Sequence, residues 1–156
     1  MSSNSSSDGT KQRLTELRNG LLALHKTLLD SERAVYERDI ARISSSGEFL
    51  KLVLYDPWFA WLHELSEFVV LIDETVDAMD KAAATDQEHD KDKAQDREHA
   101  PLIDSERLVE QALELLTPNE GGVGFGKRYF EALQRDPDVV LAHGRMRKIL
   151  TNLKPA

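Results

Sequence analysis

The sequence predicts an all-α protein, an up-down four-helix bundle. Apolar residues recur every three or four positions over most of the chain, as they do on one face of a helix. No segment shows the strict alternation of apolar and polar residues that marks a half-buried strand. With 156 residues, 40% of them hydrophobic, the chain is long enough for one domain with its own core.

The first helix is expected to be long, from about Thr10 to Ile43. Residues 1–9 form a Ser-rich tail that has nothing to bury and is expected to be disordered. Residues 10–156 then form a single helical domain. The apolar face of the first helix consists of five leucines: Leu14, Leu17, Leu21, Leu28 and Leu29.

The second arm of the bundle is predicted to be interrupted by a proline. Ser45 and Glu48 form a capping-box signature, so a second helix starts near Ser46 and runs antiparallel to the first. Asp56-Pro57 breaks it, because Pro57 has no N–H to donate and Asp56 is a good N-cap. A third helix is expected from Pro57 to about Met79.

The last two arms follow a segment of different composition. Residues 84–101 are rich in charged residues without apolar periodicity, and a flexible loop is predicted there. A fourth helix is expected over about 104–116. Phe125 begins a fifth, and Asp136-Pro137 repeats the cap-and-proline pattern before a sixth that ends near Leu153. The fifth and sixth helices together are expected to form the fourth member of the bundle.

Composition excludes several function classes. A formal net charge of −8 makes nucleic acid and anionic membrane surfaces poor partners. The absence of Cys rules out disulfides, iron–sulfur clusters and thiolate zinc sites, and fits a reducing compartment. The longest apolar run, Phe68 to Ile72, is far shorter than the ~20 residues that a membrane span needs. A cytoplasmic location is expected.

Polar residues on the apolar face of the first helix are the most informative feature of the sequence. His25, Glu32, Tyr36 and Asp39 share that face with the leucines. Burying such groups without partners costs ~1–3 kcal/mol each, and more for a charge. They therefore belong either to a functional site or to a structural network.

The structural interpretation is specific for Glu32. Counted across the predicted hairpin, Glu32 lies opposite Pro57, where the helix break leaves backbone N–H groups without partners. We expect its carboxylate to accept from the N–H of Phe59 or Ala60, or from the Trp58 indole.

The functional interpretation is a ligand site in the bundle interior. His25, Glu32, Tyr36 and His143 are its candidate residues, for a small ligand, a haem or a metal ion. A di-iron centre would need Glu-x-x-His on two helices, and no predicted helix carries that motif. No particular cofactor is therefore predicted.

Aromatic residues concentrate directly after the break. Trp58 fits the apolar face of the third helix, Trp61 lies at its edge, and Phe59 lies about 110° away on a helical wheel. Such an arrangement indicates either a wide core or an exposed patch that binds a partner.

Other motifs are weaker. Gly121 and Gly126-Lys127 have the spacing of a phosphate-binding loop, but Arg128 replaces the required Ser or Thr and no strand precedes them. His63 and Glu67 have the spacing of two metal ligands on one helix, yet they are expected to face solvent. His89 and His99 lie in the charged segment without a framework that would fix them.

Four segments carry a resemblance to known proteins: Leu21–Lys26, Ser31–Arg33, Asp56–Leu62 and Ala132–His143. On these segments the chain resembles a group of small, uncharacterised bacterial all-α proteins. The resemblance implies a bacterial, cytosolic setting and no particular activity. The expected function is a non-enzymatic module for protein interaction or self-association; the alternative is a bundle that binds a small ligand, haem or metal near His25 and Glu32.

Overall fold

The computed structural model describes residues 2–86 and 100–153, and these form a bundle of helices, which confirms the predicted fold class. The helices are α1 (Ser2–Asp39), α2 (Ser46–Tyr55), a short 3-10 helix (Pro57–Leu62), α3 (His63–Asp86), α4 (Ala100–Leu115), α5 (Phe125–Arg135) and α6 (Pro137–Leu153). Within the described residues, no helix is long and apolar enough to cross a membrane.

The core is organised around an antiparallel pair, α1 and α3. On α1 the buried positions other than Glu32 alternate steps of four and three residues: Thr10, Leu14, Leu17, Leu21, Leu24, Leu28 and Ser31. The facing positions, from the end of the 3-10 helix along α3, have the same spacing: Leu62, Leu65, Val69, Ile72, Val76 and Met79. This is the seven-residue repeat of a coiled coil, in which side chains of one helix fit between those of the other.

Polar contacts border this pair along one edge, and we call them the α1–α3 seam. They are the ion pairs Lys11–Asp80 and Arg18–Asp73 and the hydrogen-bonded pair His25–Ser66. Each step of seven residues along α1 is matched by seven residues back along α3, as the repeat requires. The seam therefore fixes both the direction and the register of the two helices.

The remaining helices complete the bundle around α1. α6 runs antiparallel to it and comes very close at Gly20, where a Cβ atom would lie 2.6 Å from Met146 Sδ. α4 packs against α1, α3 and α6. α5 packs on the 3-10 helix, on α1 and on α6, and α6 makes the longer contact with α1.

The helix boundaries differ from expectation at both ends of α1 and around the charged segment; α1 ends at Asp39, four residues before the expected Ile43. α1 begins at Ser2, within the segment for which composition predicts disorder, because adding residues to an existing helix requires no new nucleus. α3 continues to Asp86 and α4 starts at Ala100, so most of the predicted charged loop, with His89 and His99, lies outside the described residues.

The Asp56-Pro57 break is present, but a 3-10 helix follows it instead of an α-helix. The Asp56 carboxylate accepts a 2.9 Å hydrogen bond from the Trp58 N–H. Three residues per turn bring Phe59 and Leu62 onto the same face, and both are fully buried. The helical wheel misplaced Phe59 because it assumed 3.6 residues per turn.

Candidate functional site

The four polar residues proposed for an interior site do not come together in the described structure. His25, Glu32, Tyr36 and His143 each contact a different set of side chains at different levels of the bundle. Asp39, on the same sequence stripe, is exposed and pairs with its neighbour Arg38. The described geometry therefore distributes these residues among separate structural contacts.

Glu32 is buried, with a side chain that is 6% exposed, but its partner is not the one expected. Its Oε1 accepts a 2.9 Å hydrogen bond from Nη2 of Arg135, at the end of α5, and the same nitrogen contacts Ser31 Oγ at 3.1 Å. The predicted bond to the helix break is wrong: the Phe59 N–H donates to the Asp56 carbonyl at 3.2 Å, and the Glu32 carboxylate binds Arg135. Glu32 instead attaches α1 to the α5–α6 junction.

The aromatic residues after the break belong to the core more than to the surface. Tyr36 packs edge-on against Trp58, with ring centroids 5.9 Å apart, and also contacts Phe59. Trp61 lies against Phe125, with centroids 5.3 Å apart. Phe59 is fully buried and both tryptophans are half-buried, so the three do not form the exposed patch considered from the sequence.

Both indole N–H groups are nevertheless unusual. Nε1 of Trp58 and Nε1 of Trp61 are buried and have no acceptor within the described part of the chain. The two tryptophan side chains can nevertheless be stable there, because the apolar surface that a large aromatic ring buries offsets the cost of an unmade hydrogen bond.

His63 has a structural role that the sequence pattern concealed. The Val53 carbonyl in α2 should accept from the N–H four residues later, but that residue is Pro57, which has none. His63 Nε2 supplies the missing donor at 2.7 Å. Because a carbonyl only accepts, the proton is on Nε2. The expectation that His63 faces solvent is therefore wrong: it joins α2 to α3 across the break.

His25, for which the sequence offered no partner, completes the α1–α3 seam. Its Nε2 lies 2.8 Å from Ser66 Oγ, and that hydroxyl is also 3.3 Å from the Leu62 carbonyl. Burial, together with the nearby imidazole of His63, lowers the pKa of His25. The residue is neutral in the folded protein at pH 7.

His143 forms a second imidazole contact, on α6. The hydroxyl of Tyr129, fully buried on α5, is hydrogen-bonded to His143 Nδ1 at 2.6 Å, and the rings are in contact. Burial raises the pKa of Tyr129 and lowers that of His143, to which the charge of Arg147 also contributes. A tyrosine hydroxyl and a neutral imidazole nitrogen satisfy each other, one as donor and the other as acceptor. This pair connects α5 to α6.

The described residues support neither a metal site nor the phosphate-binding loop that the glycine spacing suggested. Among the described residues, no group of three His, Asp or Glu side chains is placed to hold a metal ion. The segment from Gly121 to Gly126 leads from α4 to α5, and a 3.1 Å hydrogen bond from the Asn119 N–H to the Gly126 carbonyl closes it. Gly124 has a φ of +75°, a conformation that favours glycine. The segment is a helix–helix turn.

Sequence reasoning treated α2 only as part of an arm, but in the structure this helix carries an exposed apolar surface. Lys51 is the only charged residue between Phe49 and Tyr55, yet none of the ten residues of this helix is buried. Leu50, Leu54 and Tyr55 are 58%, 50% and 81% exposed. We call these three residues the α2 patch.

A signal for this patch was present in the sequence. Apolar residues occupy every side of α2, whereas a helix that packs on one neighbour needs only one apolar stripe. The partly buried Phe49 packs on Phe59 and under the Arg33 guanidinium, and this fixes which side faces inward. The opposite side is therefore apolar and exposed.

Comparison with known proteins does not assign a function: no protein-family model, no curated protein and no solved structure matches the chain. The functional argument therefore rests on the geometry of α2 and the exposure of its side chains.

Replacing Arg135 tests whether the Glu32 contact is structural. Arg135→Met leaves a buried carboxylate without its partner and is expected to lower the free energy of unfolding by ~3 kcal/mol in urea denaturation. Adding Glu32→Leu should restore most of the loss. Asp30→Asn, which breaks the exposed Lys26–Asp30 pair, is the matched control and should change stability by no more than about 0.5 kcal/mol. Equal effects of the two single variants would contradict the assignment.

A double-mutant cycle tests the role of His63. His63→Leu removes the donor to the Val53 carbonyl and should lower the free energy of unfolding by ~1–3 kcal/mol. In a Pro57→Ala background the loss should be smaller, because position 57 then has its own N–H. The cycle is measured by chemical denaturation at pH 8. Identical losses in both backgrounds would show that the bond does not replace the proline's missing donor.

The two lowered histidine pKa values predict a pH dependence of stability. Both imidazoles are neutral in the folded state, so below the ordinary pKa of 6.5 the unfolded chain binds more protons. The free energy of unfolding should therefore fall as the pH is lowered through 6.5 towards the native pKa values. Urea midpoints between pH 8 and pH 5 measure it, and the double variant His25→Gln, His143→Gln should flatten the profile. An unchanged slope in that variant would refute the assignment.

Proposed function

We propose that the chain is a non-enzymatic protein-interaction module and that its contact surface is the α2 patch. The observation that carries this proposal is an apolar helix with no buried residue. Large exposed apolar side chains in contiguous positions are typical of surfaces that bind another protein. Leu50 and Leu54 are one helical turn apart, as anchor residues of a helix that docks against a partner are.

The alternative, a ligand, haem or metal site in the interior, has less support. Its candidate residues are paired with protein groups: His25 with Ser66, Glu32 with Arg135 and His143 with Tyr129. A ligand would have to displace those partners and leave them buried and unsatisfied. We propose no site there.

The proposed setting is the cytoplasm, where the absence of cysteine is unremarkable. With a net charge of −8, the proposed partner is a protein and not a nucleic acid. A contact that relies on apolar side chains depends little on that charge.

Photo-crosslinking tests the proposal. A photoreactive phenylalanine analogue at Leu54 should form adducts heavier than the 17.6 kDa chain in cells that express it. Leu50→Glu should suppress these adducts by at least about tenfold, because it places a charge in an apolar contact.

The control is the same analogue at Leu141 of α6, which is 59% exposed and lies outside the patch. Adducts of equal yield from both positions, or none from Leu54, would contradict a binding role for α2.

A further inference from the structure

The exposed sides of α3 and α6 carry opposite charges. The 24 residues of α3 include seven carboxylates and one lysine, which gives this helix a net charge of −6. After Asp138, the charged residues of α6 are all basic: Arg145, Arg147 and Lys148. Within the described residues, α1 and α4 both pack against α3 and against α6, so these two helices lie at opposite corners of the bundle. One side of the molecule is therefore acidic and the other basic.

Each of these sides also exposes a Val-Leu pair. Val70 and Leu71 of α3 are 52% and 43% exposed, and Val140 and Leu141 of α6 are 48% and 59% exposed. The pair on α6 borders a shallow depression that Leu133 of α5 also lines. Such a depression can receive aliphatic side chains from another helix. Both sides therefore combine apolar anchors with charges.

The charges stand at matching distances from the two leucines. On α3, glutamates lie four and seven residues before Leu71, and on α6, cations lie four and seven residues after Leu141. Residues at these spacings share one side of a helix. All four are exposed, and none forms an ion pair among the described residues: Glu64, Glu67, Arg145 and Lys148. We call Glu64, Glu67, Val70 and Leu71 the α3 face, and Val140, Leu141, Arg145 and Lys148 the α6 face.

The two faces match when the helices are antiparallel. If the two leucines lie opposite each other, the residue four before one leucine comes opposite the residue four after the other, because the second helix runs in the reverse direction. Glu67 then lies opposite Arg145, and Glu64 lies opposite Lys148. Pairs of opposite charge beside an apolar contact fix its register and its direction.

The other end of this register contains one match of like charges. Glu74, three residues after Leu71, comes level with Asp138, three residues before Leu141. On a helical wheel, Asp138 lies about 100° from the middle of the exposed side of α6. Its carboxylate therefore lies beside the contact and not within it.

We infer that the α3 face of one molecule docks on the α6 face of a second copy of this chain. The contact is heterologous, so each copy keeps one free face of each kind and association continues beyond a dimer unless it closes into a ring. The net charge of −8 opposes approach at long range, but salt screens that repulsion beyond about 8 Å, whereas the paired charges are in contact. A contact between two helix faces is small, and we expect a dissociation constant of about 100 µM.

Sedimentation velocity on the full chain tests the inference, over concentrations from about 10 µM to about 1 mM. The weight-average sedimentation coefficient should rise with concentration above that of the 17.6 kDa monomer. A monomer at every concentration would overturn the inference.

Charge reversal identifies the two faces. Glu64→Lys with Glu67→Lys, and separately Arg145→Glu with Lys148→Glu, should each shift association at least about tenfold to higher concentration, since attraction becomes repulsion at both pairs. The quadruple variant exchanges the signs of the two faces and keeps the net charge of −8, so it should associate like the natural chain. An equimolar mixture of the two double variants should also associate.

The matched control is Glu110→Lys with Glu114→Lys on α4. Both glutamates are exposed, and the change in net charge equals that of the α3 double variant. This control should not weaken association. Equal weakening by the control, or failure of both the quadruple variant and the mixture to associate, would overturn the inference.

The inference does not rest on the α2 patch, and the two can fail separately. Leu50→Glu should leave the sedimentation profile unchanged, whereas it should suppress the adducts formed at Leu54. Since the α3–α6 contact is weak, it is almost unoccupied when the chain is expressed at about 1 µM. At that level Leu141 remains a valid control for crosslinking at Leu54.

Discussion

The α1–α3 seam is the constraint on which the rest of the structure depends. The two helices share a seven-residue repeat of buried residues, and three polar contacts border it at matched intervals. In such a repeat, a slip of one residue would move leucines out of the core and separate all three polar pairs at once. α4 and α6 can therefore pack against a fixed pair, and Gly20 allows α6 to approach closely.

The break at Asp56-Pro57 explains why one side of α2 is exposed. A continuous helix would have carried α2 along α1, with one apolar stripe buried. Instead the 3-10 helix turns the chain, and α2 makes its main contacts with that short helix. His63 holds the junction together by donating to the Val53 carbonyl. Since that bond replaces the donor lost at Pro57, the change in direction is fixed by specific contacts.

Much of the fold could be predicted from the sequence, because helix periodicity and capping are local properties. The start of α2 at Ser46, the break before Pro57 and the all-α class follow from a few neighbouring residues. The partners of polar side chains could not be predicted in the same way. Glu32 binds Arg135, more than a hundred positions along the chain, and no local pattern indicates that contact. The position of Phe59 was predicted wrongly for a different reason: the helical wheel assumed an α-helix, and no local pattern predicted a 3-10 helix after Pro57.

The contrast between local sequence patterns and distant side-chain partners also determines which residues are candidates for function. Polar residues on a buried face suggest a site only until their partners are known, and here His25, Glu32 and His143 each stabilise a junction between helices. Their chemistry is used within the fold. The side chains of the α2 patch, Leu50, Leu54 and Tyr55, contribute little to the core. Because they are apolar and exposed, they raise the risk of aggregation. A surface that adds little to stability and carries such a risk is the reason for proposing that α2 binds another protein.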